Sequence, residues 1–411
     1  MSTKGIVVTG IGIISPFGIG KDCFWNGLKT GKSCIKEITC FDVTDLKSKK
    51  AAMVPDYRPE DYDDSFRFCR ASKSSQFTLI AADMAIKDAG LKLDRVSPHK
   101  IGIFIGSGHC ALECTEKFYS VLLEKGTTLT NPLLFQQTVS NAPASEISIK
   151  YGIKGPSYVI TSGNASGGLA ISVAILNLKK GYIDIAIAGG VDTHFKLIHE
   201  AFMHLRHLSP KDGGEEICRP FDKKRNGIIC GEGVGLIVIE TIEHAIKRDA
   251  KILAEIVGDG ASYDSLKASP HSKERSIAFA MMEAIKEAGL NKDEIEYIVS
   301  TANSSKELDA AESKAIKDLF GTRAYHIPAS SIKSMIGETY GSSGVFNAIS
   351  TIYTLNEGTI PPTINYENPD LFCDLNYVPN HPINKEIRYA LVNSSSFSVN
   401  NSSILLKRYE N

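Results

Sequence analysis

The chain has 411 residues, 43% apolar and 23% charged, with 46 basic against 47 acidic side chains and a formal net charge of −1. That balance excludes the basic footprint of a nucleic-acid or anionic-membrane binder, and no apolar run approaches the ~20 residues of a membrane-spanning helix. The length suffices for large cores, as two domains or one double-layered unit, and the nine cysteines, odd in number and scattered, read as reduced thiols of a cytoplasmic protein.

In chain order, IVVTGIGIISPFG (6–18) reads as a buried strand entering a Gly-rich loop, and its start at Ile6 leaves no room for a signal peptide. The glycines at 10, 12, 18 and 20 do not form a dinucleotide-binding G-x-G-x-x-G. Residues 35–70 are polar and read as a surface excursion. A helix is expected at about 72–90, a buried strand at IGIFIGSG (101–108), and a helix at 109–124 in which Cys110 and Cys114, one turn apart, read as packing rather than ligands. After the loop at Asn131-Pro132, the run Tyr158–Ile160 reads as a buried strand. It leads through Ser162-Gly163-Asn164-Ala165 into a helix that begins at Ser166 and ends at Lys179-Lys180-Gly181. IDIAIAGG (183–190) and GVGLIVIE (233–240) are uniformly apolar, as strands covered on both faces are.

The second half alternates in the same way, with strands at 252–260, 295–302 and 326–330, helices at about 273–289 and 309–319, and two closing strands, RYALVNSSSF and SSILLKR. One spacing recurs. Ser166-Gly167 opens a helix ending at Gly181, and Ser343-Gly344 opens one ending at Gly358, with apolar pairs at Leu169/Phe346, Ile175/Ile352 and Leu178/Leu355. The recurrence predicts two related α/β halves, 1–250 and 251–411.

The turn at 162–166 is a strand-to-helix elbow, which holds its apex residue at a helix N-terminus where backbone N–H groups and the macrodipole favour negative charge and would activate a thiol. The apex is Asn164. An amide is not a competent nucleophile. Two readings stand: a polar apex that satisfies the backbone of the turn, or an amide that lines a cavity.

Several of these stretches together resemble the β-ketoacyl-acyl-carrier-protein synthases of the thiolase fold: IVVTGIGIISPFG, IGIFIGSG, GPS before the elbow, IAIAGGVD, RPFDKKRNGIICGEGVGLIVIE (219–240), IKSMIGETYGSSG (332–344) and GTIPPTINYENPD (358–370). The resemblance spans essentially the whole chain. It implies a five-layered αβαβα architecture made of two related halves and a tight two-subunit unit. In active relatives an elbow Cys takes the acyl chain, and two histidines drive decarboxylation of malonyl-carrier protein.

Carried over by position, the Cys–His–His set falls at Asn164, Thr301 and Glu338, while the family's lysine and glutamate are retained as Lys333 and Glu312. The two threonines that hold pantetheine fall at Asn303 and Ser305. The gate-loop phenylalanine is retained as Phe397, its neighbouring glycines replaced by Ser396, Ser398 and Val399. Glu338 has two readings, a pair with Lys333 five residues earlier or a solvated carboxylate. Without thiolate and imidazoles there is neither an acyl-enzyme nor an electrophilic pair to stabilise an enolate. No His, Cys or paired carboxylate clusters there by sequence to supply a new activity.

The resemblance therefore points to a chain-length factor of a type II polyketide synthase, whose members usually carry Gln at the apex. It implies a heterodimer with an active ketosynthase, no cofactor bound by this chain, and a phosphopantetheine-bearing acyl carrier protein served by the complex. Candidate tunnel or interface residues are His109, Leu112, Thr115, Glu116 and Phe118, with Leu133, Leu134 and Phe135; the competing reading is ordinary interface packing. A homodimeric acyl-binding scaffold without an active partner is the alternative, and Thr301 and Glu338 argue against a loading-type decarboxylase.

Overall fold

The computed structural model describes residues 5–63, 65–264, 272–397 and 400–410. Its ten principal strands fall into two sets. β1 (Ile6–Ser15), β2 (Ile101–Gly106), β3 (Ser157–Ile160), β4 (Ile185–Asp192) and β5 (Gly233–Thr241) lie in the order β3-β2-β4-β5-β1. β6 (Ala254–Tyr263), β7 (Tyr297–Val299), β8 (Ala329–Ser330), β9 (Tyr389–Ser395) and β10 (Asn400–Lys407) lie in the order β8-β7-β9-β10-β6. The two orders are the same when each set is counted from its first strand, and the directions match as well. The second strand is parallel to the third and fourth, and the fifth runs antiparallel to the fourth and first. The sets join where Ile6–Val8 pair with Ala254–Ile256.

The principal helices are α1 (Lys73–Asp88), α2 (Leu112–Lys125), α3 (Ala142–Tyr151), α4 (Ser166–Lys179), α5 (Lys196–His204), α6 (Ser272–Glu287), α7 (Lys306–Phe320) and α8 (Ser343–Glu357). α1 and α3 cover the outer face of the first set, α6 and α7 that of the second, and α4 and α8 fill the middle. Five layers result. β4 and β5 are buried along their whole length, as their unbroken apolar runs predict, and the central core gathers side chains from both sets and both middle helices.

The recurrent Ser-Gly openings have a packing cause. α4 and α8 cross where neither helix carries bulk: a Cβ on Gly167 would lie 2.4 Å from the Gly341 carbonyl oxygen, and one on Gly344 would lie 2.7 Å from the Gly168 nitrogen. α8 ends at Gly358, whose φ of 66° lets its N–H close on the Thr354 carbonyl.

Two expectations are corrected. β3 is not a buried strand: it is the terminal strand of the sheet, with Ser157 and Tyr158 exposed. Its branched residues mark strand propensity, which does not distinguish an edge from a centre. Residues 35–70 are not wholly a surface excursion either. Lys50–Ala52 pairs in parallel with Cys230–Gly231 and buries Ala51 and Ala52. None of the nine cysteines is joined in a disulfide. Among the described residues no helix is long and apolar enough to cross a membrane.

Candidate functional site

The elbow between β3 and α4 is tied by Ser166 rather than by its apex. Ser162 N–H donates to Ser166 Oγ at 2.8 Å, and the Ser166 hydroxyl donates to the Gly163 carbonyl at 2.6 Å. Asn164 is buried, its carbonyl takes the Ser394 hydroxyl at 3.0 Å, and its side-chain Nδ2 has no hydrogen-bond partner. The first reading of Asn164, as the group that satisfies the turn, is thereby replaced. Asn164→Ala is expected to change stability by less than about 1 kcal/mol, whereas Ser166→Ala costs about 1–3 kcal/mol because it leaves buried turn groups unpaired. Urea denaturation of the two variants checks the order; the reverse order would return the turn to Asn164.

Thr301, beyond the end of β7, faces the elbow across the start of the β9–β10 turn. Ser395 N–H donates to Thr301 Oγ1 at 2.9 Å, next to the Ser394 that binds Asn164. The backbone N–H groups of Thr301 and Ala302 donate to Glu312 at 2.9 Å each, and Asn393 adds a third bond at 3.0 Å. Burial outweighs these donors and pushes the Glu312 carboxyl up to about 7.

Lys333 and Glu338 form the ion pair that their spacing allows. Lys333 Nζ lies 2.9 Å from Glu338 Oε2 and 2.9 Å from the Thr301 carbonyl, with both side chains buried. Glu338 Oε2 also accepts Asn303 Nδ2 at 2.7 Å; Oε1 accepts Tyr340 N–H at 3.1 Å and the Ser343 hydroxyl at 2.5 Å. Each carboxylate oxygen thus takes two donors, and the solvated reading of Glu338 is excluded. A carboxylate held this way is a structural anion with no hydrogen-bonding capacity left for a reacting group.

His109 belongs to the same interior. It precedes α2 rather than lying within it, and its ring meets Tyr340 edge-on at 4.6 Å. Its Nε2 is buried without a partner. Asp192, at the end of β4, draws this wall together by accepting Ser107 Oγ, Gly108 N–H, His109 N–H and Gly341 N–H at 2.7–3.0 Å. Sequence reasoning does not single out Asp192 or Tyr340, although Asp192 closes IAIAGGVD and Tyr340 lies in the IKSMIGETYGSSG stretch.

The other tunnel and interface candidates lie outside this network. Leu112 and Phe135 are exposed, Thr115, Phe118 and Leu134 half-buried, and the Phe118 and Phe135 rings sit 5.6 Å apart. With exposed Tyr119, Leu123 and Leu133 they form an apolar ridge on α2 and the turn after Asn131. Phe397 stacks on His207 at 4.8 Å beside a shallow groove lined by Arg206, Lys211, Ser305 and Lys306. Ser305 caps α7 by accepting Leu308 N–H at 3.3 Å, while Asn303 turns inward to Glu338. Ser398 and Val399 lie outside the described residues.

Two sheet sets of one topology, packed on a pair of central helices with an elbow at the first, define the thiolase-like ketosynthase fold. The chain belongs to the β-ketoacyl synthase family, whose N-terminal domain matches residues 3–245 and whose C-terminal domain matches residues 253–367. It is 34% identical to the 3-oxoacyl-[acyl-carrier-protein] synthase 2 of Coxiella burnetii over 411 residues, covering 99% of each chain. It is 34% identical over 413 residues to the protein of the same name from Synechocystis sp., covering 100% of this chain and 99% of the relative. Among solved structures it resembles the ishigamide ketosynthase/chain length factor with a TM-score of 0.92 and 29% identity, each chain covered completely. It also resembles a type II polyketide synthase ketosynthase, bound to the hexaketide and in complex with its acyl-carrier protein, at a TM-score of 0.90 and 27% identity, again with complete coverage of both chains.

Proposed function

We propose that this chain is a non-condensing subunit of the chain-length-factor type. It pairs with an active ketosynthase and shapes the tunnel in which an acyl or polyketide chain grows as malonyl units are added from a phosphopantetheine-bearing acyl carrier protein. The observation that carries the reading is the side chain set at the family's reactive positions. Asn164 offers an amide, Thr301 a hydroxyl already bonded to Ser395, and Glu338 a carboxylate closed by Lys333, Asn303, Tyr340 and Ser343. None of these forms an acyl-enzyme, the imidazole pair that would stabilise an enolate is absent, and a buried carboxylate opposes the negative charge that must develop there. The chain itself holds no cofactor for the elongation chemistry on this reading; the pantetheine arm enters beside Phe397.

The ridge of Leu112, Phe118 and Phe135 supports a second subunit, since an apolar face of this kind is costly in water. Likeness to a ketosynthase/chain length factor structure supports the type of partner. Co-expression with a Cys-containing ketosynthase encoded beside it, followed by native mass spectrometry and a malonyl-carrier-protein elongation assay, tests the proposal. The expected result is a one-to-one complex that elongates only with both chains present, in which His109→Leu changes product length. A stable homodimer that ignores every ketosynthase offered would favour the acyl-binding scaffold. Condensation by this chain alone would restore it to the activity its curated relatives are named for.

A further inference from the structure

Behind the pocket wall, three side chains with metal-ligand chemistry converge in the core. His194 lies in the turn after β4, His199 in α5, and Cys230 in the short strand Cys230–Gly231; one donor atom from each lies within 4.8 Å of the other two. Among the described residues this is the one such group of three. All three side chains are buried, and among the described residues no carboxylate forms an ion pair with either imidazole. The sequence does not point to it, because the three residues come from separate segments and form no spaced motif.

We propose that His194 Nε2, His199 Nδ1 and Cys230 Sγ bind a zinc ion, with water completing the tetrahedron. The two imidazole nitrogens are 3.1 Å apart, against about 3.3 Å for two nitrogens on one tetrahedral zinc, and Cys230 Sγ, within 4.8 Å of both, closes in on the ion as it binds. The second shell is in place for two of the three ligands, His199 and Cys230. His199 Nε2 lies 2.9 Å from the Ser48 carbonyl, which fixes its proton there and turns the Nδ1 lone pair to the cluster. The Tyr340 hydroxyl donates to Cys230 Sγ at 2.8 Å, a bond that strengthens on a thiolate. His194 Nδ1 has no partner and takes the proton displaced from Nε2, while the Cys230 thiol proton leaves to solvent; no electron changes hands. The Phe41 ring lies 6.0 and 5.7 Å from the two imidazoles and packs against both in a tilted arrangement. Two imidazoles with one thiolate suit a borderline-soft, redox-inert ion rather than magnesium or calcium.

The ion would tie the turn after β4, α5 and the strand that passes Gly231 N–H to the Glu338 carbonyl at 2.8 Å, bracing the wall that carries Tyr340. The alternative is a plain hydrogen-bond relay from His194 through His199 to Ser48 beside a core thiol. The wild-type protein, purified without chelators and desalted, is expected to carry roughly one zinc per chain by elemental mass spectrometry. After chelation and reloading with cobalt(II), it should show the near-ultraviolet sulfur-to-metal charge-transfer band of a thiolate ligand. Cys230→Ser removes that band, and His199→Gln lowers zinc content about tenfold or more. Wild-type protein that holds less than roughly a tenth of a zinc per chain and takes up cobalt(II) without the band overturns the site, whether or not the variants fold. Zinc undiminished by both substitutions overturns it as well.

Discussion

Lys333→Met is expected to destabilise the protein by about 3–5 kcal/mol, because it strips the buried Glu338 carboxylate of its counter-charge. The ammonium is also the donor to the Thr301 carbonyl, so the same change loosens the segment that carries Thr301. Glu338→Gln should cost nearly as much, since it leaves the Lys333 charge without a partner and sets an amide N–H against Tyr340 N–H or the Ser343 hydroxyl. The double variant Lys333→Met/Glu338→Gln removes both charges and is expected to recover part of the loss. Urea denaturation of the four proteins gives the coupling directly. Two additive single effects would mean that the ion pair contributes nothing as a pair.

Gly167→Ala is the second large effect, about 3 kcal/mol or more, at the upper end of overpacking costs. The added methyl would sit 2.4 Å from the Gly341 carbonyl oxygen, and the backbones that carry the methyl and the oxygen are both held in the middle layer. Neither can step aside as a side chain can. Gly108→Ala is the milder control: its methyl would meet Asp192 Oδ2 at 3.1 Å and Gly163 Cα at 3.8 Å. Thermal unfolding compares them, and a Gly167→Ala protein as stable as the Gly108→Ala protein would show that the helix crossing has room to open. Gly341 is pressed from both sides, since a methyl on Gly190 would lie 2.1 Å from the same oxygen.

The buried sheet and the related halves are legible in the sequence because their cause is local, whereas the five layers follow only from the family resemblance. Unbroken apolar runs at β4 and β5 need cover on both faces, and Ser166-Gly167 and Ser343-Gly344 mark two related halves; that the two helices approach closely is seen only in the structure. Lys333 and Glu338 are legible as a pair because five residues separate them. What escapes the sequence is what distant segments assemble. Ala51 meets Cys230 across a parallel bridge, Tyr340 reaches Cys230 from 110 residues away, and Asp192 gathers N–H groups from two separate turns. Asn164 reads as the turn's own cap because Asn commonly serves so. Ser166 does this instead, because tertiary packing, not residue type, decides which of two neighbouring polar side chains turns back on the elbow.

The position of β3 also bears on how the protein is made. As the last strand of its sheet it pairs on one side only, and it places Tyr158 in solvent, half exposed. An open strand edge is a template for any extended polypeptide nearby, nascent chains included. Each new copy therefore enters a kinetic race between folding and co-aggregation, decided by local concentration and timing more than by the depth of the folded minimum. Slowing synthesis should raise soluble yield where stabilising substitutions in the core do not.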